Sequence, residues 1–209
     1  SAGSGIRRAG VLLPDGTKLD IAASLDDSSL ADLANVYADL PAILEKLESG
    51  GVEANAELDI PLPASASVFC AAANYRDHML AMANKLGIET EPDPKSIGVF
   101  PYHFLKAGRQ CLAKDGDEVA IPAFAKNFDW EVELAAIIGQ PAKSVSADDA
   151  LSHVAAYSVA NDLSARDRDL MKRTNVPDGS LFRTDFIGMK SWDQSCPIGP
   201  WATPATQVP

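Results

Sequence analysis

The chain has 209 residues, 46% of them hydrophobic, and a formal net charge of −11. That length and apolar content suffice to bury a core in one large domain or in one domain with a small appendage, while the acidic balance, with no Lys/Arg cluster, speaks against a nucleic-acid partner. No run of about 18 apolar residues offers a transmembrane helix and no basic-then-apolar leader opens the sequence; three widely spaced cysteines, Cys70, Cys111 and Cys196, without a Cys-x-x-Cys pair, suit a reducing cytoplasm.

In chain order, residues 1–5 read as a flexible start. Residues 6–22 hold two apolar segments around Pro14-Asp15-Gly16, which predicts a hairpin. Asp27, Ser28 or Ser29 then caps a helix that places Leu30, Leu33, Ala34 and Tyr37 on one face; Pro41 kinks or divides it, and Gly50-Gly51 ends it. Residues 1–62 are therefore expected to form a small hairpin-plus-helix domain, joined through the Pro-rich residues 59–67 to a main domain over 63–209. From Val68 onward, short apolar stretches at 67–75, 102–107, 117–122, 129–139 and 154–167 are separated by turns. They predict an α+β protein, mainly β, with mixed or largely antiparallel sheets and few helices. Ser146 and Asp149 predict a capping box that opens a helix through Ala150, Leu151 and Val154.

The stretch NFDWEVELAAIIG, residues 127–139, sets Glu131 and Glu133 inside an apolar strand. Strand alternation puts them on one face with Ala135 and Ile137, and puts Trp130, Val132, Leu134 and Ala136 on the other, so both faces are expected to be mostly buried. Two neighbouring carboxylates there repel each other and lose hydration, at a cost of several kcal/mol unless a positive charge lies between them. A second strand, AYSVANDLSARD, ends in the polar pair Asn161-Asp162. If it neighbours the first, Asp162 completes a set of three oxygen ligands for a hard cation, Mg²⁺ or Mn²⁺. The alternative is a solvent-facing strand whose glutamates serve solubility, which the apolar flanks disfavour.

Four blocks carry a resemblance: AAANYRDHM (71–79), FDWEVELAAIIG (128–139), AYSVANDLSARD (156–167) and KSWDQSCPIGPW (190–201). In this order and spacing they resemble the fumarylacetoacetate hydrolase family, with the hydratase-like bacterial members. The resemblance implies a mixed β-sandwich or roll, a homodimer, and Mg²⁺ or Mn²⁺ held by Glu131, Glu133 and Asp162. It also implies a small-molecule 2-oxo or β-diketo acid as substrate, with C–C bond hydrolysis through a metal-stabilised enolate as the leading reaction; decarboxylation, hydration, isomerisation or a non-catalytic binding role stand as alternatives. His78 matches the family histidine that activates water or shuttles a proton. Lys190 matches a lysine that neutralises developing negative charge, which an acidic chain needs if its substrate is a carboxylate.

Tyr75, Arg76 and Arg166 are the further candidates for substrate contact, with ion pairing to Asp167 or another carboxylate as the competing role for Arg166. The glutamate that the family often sets three residues after its histidine is Ala81 here, with Glu89 or Glu91 as replacements in the following loop, and Gln194 stands where many members have threonine. The polar residues 170–183, with a turn at Pro177-Asp178-Gly179, are expected to cover the pocket or to meet a second subunit, with Phe182 or Arg183 reaching substrate. The resemblance also implies further strands after residue 201, so open sheet edges and aggregation are expected of this chain by itself.

Overall fold

The computed structural model describes residues 6–90, 92–167, 173, 175–177, 179–182 and 184–209. The expected hairpin forms between β1 (Gly10–Leu12) and β2 (Lys18–Asp20), antiparallel with Val11 opposite Leu19. Asp20 ends β2 and caps the short helix α1 (Ile21–Ser24) by accepting from Ala23 N. The expected single helix is divided, as the proline anticipates. Helix α2 (Leu33–Ala38) stops at Asp39, and α3 (Leu40–Leu47) starts with Pro41 in its first turn, where no N–H partner is needed. Of the expected inward face, Tyr37 is buried and Leu30 and Leu33 pack against the core, joined by the buried Val36, Leu40, Ile43 and Leu47; only Ala34 departs from it and is exposed.

Among the described residues the strands pair in small units. β3 (Val68–Ala71) lies antiparallel to β4 (His103–Lys106). Helix α4 (Arg76–Leu86) follows β3 and closes at Gly87, whose left-handed backbone (φ 64°) suits a residue without a Cβ. β5 (Leu112–Ala113) runs parallel to β10 (Cys196–Pro197). β6 (Phe128–Asp129) pairs with β9 (Ser164–Ala165), and β7 (Val132–Ile138) pairs with β8 (Val154–Asn161), which in turn takes β11 (Thr203–Pro204) on its other side. Helix α5 (Phe186–Lys190) precedes β10. Helices and strands in mixed order make this an α+β fold. One buried apolar cluster joins Ile21, Val36 and Tyr37 of the N-terminal part to Ile137, Ala156 and Ile198 of the rest.

Three expectations are corrected. Residues 117–122 form no strand; Asp117 instead caps a turn by accepting from Lys114 N. Ser146 and Asp149 do bond to each other, but only a 3-10 turn (Ala150–His153) follows, because Asp149 is occupied by Ser146 and caps no backbone N–H of that turn. The two faces of β7 are not both buried. Ile137 is 6% exposed, whereas Val132 and Leu134 on the other face are 71% and 63% exposed, because among the described residues the core packs on the Ile137 side. Of residues 170–183, positions 170–172, 174, 178 and 183 lie outside the described residues, as does Glu91; Phe182 is exposed. No helix among the described residues is long and apolar enough to cross a membrane.

Candidate metal centre

The continuous strand read from residues 127–139 is in fact broken, and the break makes the site. The chain leaves β6 at Asp129, changes partner strand, and re-enters pairing at Val132. Glu131 sits at that crossing. Its N–H donates to Asn161 Oδ1 (3.0 Å) and its carbonyl accepts from Asp162 N (2.8 Å), which ties the break to the end of β8. The register Val132 opposite Asn161 and Glu133 opposite Ala160 then brings the two strands' acidic ends together. Glu131, Glu133 and Asp162 each present a carboxylate oxygen, all within 4.8 Å of one another.

Positive side chains surround the three. Lys190, the last residue of α5 and 5% exposed, donates from Nζ to Glu131 Oε2 and Asp162 Oδ2, each at 2.7 Å, above the ring of Phe104. Arg166 bonds Asp129 Oδ2 through Nε (3.0 Å) and forms an ion pair with Glu131 Oε1 through its terminal nitrogen. Its expected neighbour Asp167 is engaged elsewhere, accepting from Lys126 N. Lys106, which the sequence reading did not single out, is 1% exposed with Nζ 2.5 Å from Asp162 Oδ1. A signal for it exists in the phase of β4: Lys106 alternates in step with the half-buried Phe104, against the exposed His103 and Leu105.

The donor set fits a hard divalent cation. All three ligands are oxygen donors. Asp162 Oδ1 is buried and accepts no hydrogen bond despite the nearby ammonium, so its lone pairs remain available. Burial raises the Glu133 carboxyl above the usual range and the Asp162 charge adds to this, while a hydrogen bond from Tyr75 and the charge of Lys190 oppose it. The Tyr75 hydroxyl also accepts from Leu134 N (3.2 Å), so it clips the free edge of β7 at the site.

Tyr75, His78, Glu131, Glu133, Asp162, Arg166 and Lys190 line one open cleft of about 1460 Å³, and Glu89 reaches it too. His78 is exposed on α4, one helical turn from the exposed Ala81. Arg76, also exposed, is not among the residues that line the cleft. Gln194 takes a left-handed turn (φ 60°) and donates from its backbone to Gln110 O, away from the cleft. Cys70 lines the cleft, but burial foremost, helped by the Asp162 charge, pushes its thiol up to about 12. It stays protonated, which excludes it as a thiolate nucleophile.

Residues 67–209 match the sequence model for the C-terminal domain of fumarylacetoacetate (FAA) hydrolase. The chain belongs to the fumarylacetoacetate hydrolase family. Within it, the 2,4-didehydro-3-deoxy-L-rhamnonate hydrolase of Sphingomonas sp. (strain SKA58) is 30% identical over 208 residues, covering 98% of this chain and 62% of that protein. The oxaloacetate tautomerase YisK of Bacillus subtilis (strain 168) is 33% identical over 150 residues, 69% of this chain and 42% of the relative. The chain thus spans about three fifths of the first relative's length and less than half of the second's. Among solved structures of the family, maleylpyruvate hydrolase from Sphingobium sp. SYK-6, in complex with manganese(II) ion and pyruvate, superposes with a TM-score of 0.63 at 25% identity, covering 96% of this chain and 65% of that one.

Proposed function

We propose that this chain carries the metal- and substrate-binding part of a divalent-cation-dependent enzyme for 2-oxo or β-diketo acids, with hydrolysis of a C–C bond as its reaction. The observation that carries the reading is the convergence of Glu131, Glu133 and Asp162 within 4.8 Å, encircled by Lys106, Lys190 and Arg166. Glu131, Glu133 and Asp162 would hold Mg²⁺ or Mn²⁺, which when bound supplies Lewis acidity toward the adjacent oxo and carboxylate oxygens of a substrate. With Asp129 counted, four carboxylates face three cationic side chains, and a divalent ion turns that small negative balance positive. That local excess draws an anionic substrate into a protein whose net charge is −11.

The remaining roles follow from placement. Lys190 steadies negative charge that develops on the substrate beside Asp162 and Glu131. Arg166 fixes the Glu131 carboxylate by pairing with it and with Asp129. His78, exposed on the rim, accepts a proton from water through a ring nitrogen, and Tyr75 holds Glu133 while its ring borders the substrate space. Arg76, exposed on α4 and outside the cleft lining, would contact only a substrate long enough to extend beyond the cleft. The fold would complete the family's mixed β-roll in a cytoplasmic homodimer.

A second reading, keto–enol proton transfer on the same acids, is favoured by Ala81: no carboxylate one turn from His78 orients it for water activation, a group that proton transfer does not require. YisK's name as an oxaloacetate tautomerase points the same way. Supplying an acylpyruvate and oxaloacetate in parallel, with Mn²⁺ present, separates the two. Cleavage products from the first support hydrolysis; enol–keto conversion of the second without cleavage of the first supports tautomerisation. Under either, Glu131→Gln is expected to abolish turnover and Mn²⁺-dependent thermal stabilisation while circular dichroism stays native; full activity in that variant refutes the ligand assignment.

A further inference from the structure

Lys106 is a fully buried cation that none of the roles above explains. It projects from the end of β4 into the interior, with 0% of its side chain accessible, and its ammonium meets four oxygens. Three are backbone carbonyls, of Leu163 (3.2 Å), Lys190 (2.5 Å) and Ser195 (2.9 Å); the fourth is Asp162 Oδ1 at 2.5 Å. An ammonium has three N–H donors. The three carbonyls take all of them, which agrees with Asp162 Oδ1 accepting no hydrogen bond although the nitrogen lies next to it.

The contact with Asp162 is therefore one of charge rather than of a directed hydrogen bond. Lys190 does the opposite at the other oxygen, donating directly to Oδ2. The carboxylate is gripped at Oδ2 and attracted, but not capped, at Oδ1. The same ammonium gathers the residue after Asp162, the end of α5 from which the Lys190 side chain starts, and the turn before β10. One side chain thus sets both Asp162 and the lysine that faces it.

We propose that Lys106 is a positioning residue for the cation site: its buried ammonium orients Asp162 by charge, leaves Oδ1 open to ligate, and fixes the backbone of Lys190. The inference rests on the reading of Glu131, Glu133 and Asp162 as ligands to Mg²⁺ or Mn²⁺. It differs from a purely structural staple in one respect. A neutral amide still donates to these carbonyls, though with fewer and weaker bonds, whereas the attraction to Asp162 requires the charge.

The test is Mn²⁺ titration by calorimetry into the purified chain and into Lys106→Gln, Lys106→Met, Lys106→Arg and Glu131→Gln, with folding monitored by circular dichroism. Lys106→Gln keeps an amide donor for the carbonyls and removes the charge. It is expected to fold and to bind Mn²⁺ about 10- to 100-fold more weakly, the usual size of an effect transmitted through a ligand's partner. Lys106→Arg, which keeps the charge but is bulkier, is expected to lose less affinity than Lys106→Gln, an order that a general loosening of the fold would not reproduce. Should the Gln variant not fold, Lys106→Met is read in its place. Failure of both to fold assigns the lysine to folding and overturns the proposal, as does a folded variant that binds Mn²⁺ within twofold of the parent. If the parent itself binds no Mn²⁺, or Glu131→Gln binds it equally well, the ligand reading fails instead, so the two failures are told apart.

Discussion

Glu133 and Tyr75 set how the site responds to protons. The Glu133 carboxyl is raised by burial and by Asp162, and the tyrosine hydroxyl works against that rise. A proton and a metal ion compete for the same oxygens, so Mn²⁺ affinity is expected to fall as the pH is lowered through a window above the ordinary glutamate range. Stability of the metal-free chain has the opposite sign. A carboxyl that binds its proton more tightly when folded favours the folded state fully below its unfolded pKa, and that contribution is lost as pH rises through the folded pKa. Tyr75→Phe removes the opposing hydrogen bond and is expected to move both transitions to higher pH. Calorimetric Mn²⁺ titrations and thermal melts across mildly acidic to neutral buffers check this; parallel rather than opposed trends contradict it. At this scale the sequence was informative about acids and poor about bases. Glu131, Glu133 and Asp162 were legible because charge in an apolar run is costly, while for Lys106 the one signal was its phase with Phe104 on a short strand, which a lysine at a strand end makes easy to pass over.

At the scale of elements, the break between β6 and β7 decides where the site sits, while the close approach of α2 just past the far end of β7 bears on stability. A pattern of alternating residues does not reveal the break, since β6 and β7 keep the same alternation while pairing with different strands. The pairing of the acidic strand with the strand that leads into Asp162 stood in the sequence only as a condition, and the β7–β8 register meets it. Gly139, just past β7, lies so close to helix α2 that an added Cβ would collide with the Tyr37 carbonyl oxygen and come within 2.6 Å of Ala155 Cβ. Backbone cannot yield as a flexible side chain does, so Gly139→Ala is expected to destabilise the chain by about 1–3 kcal/mol. Mn²⁺ affinity is expected to stay unchanged, because the collision lies at the opposite end of β7 from Glu133. Urea denaturation beside a Mn²⁺ titration measures both, and loss of affinity at unchanged stability would show the two ends of β7 to be coupled in some other way.

At the scale of the whole molecule, one face of the β7–β8 sheet is left open. Val132, Leu134 and, directly opposite Leu134, Val159 expose 71%, 63% and 55% of their surface, and β7 has no strand on its outer edge among the described residues. An apolar face beside an unpaired edge invites association. The chain is expected to self-associate with rising concentration in sedimentation velocity, and Leu134→Lys to reduce this; a monodisperse species at every concentration would be the contrary result. Composition and four short blocks by themselves determined the family and the α+β class, marked a kink or division of the N-terminal helix at Pro41, and singled out Glu131, Glu133 and Asp162 as candidate ligands. Each of these depends on residue type and local spacing, which a linear sequence preserves. Only the tertiary structure decided that Glu131 stands at a change of sheet, that Arg166 serves Glu131 and Asp129, that Tyr75 clips the β7 edge, and that Lys106 lies beneath Asp162. Those facts join residues as far as 59 positions apart, and which of them meet is set by how the strands pack rather than by any one segment.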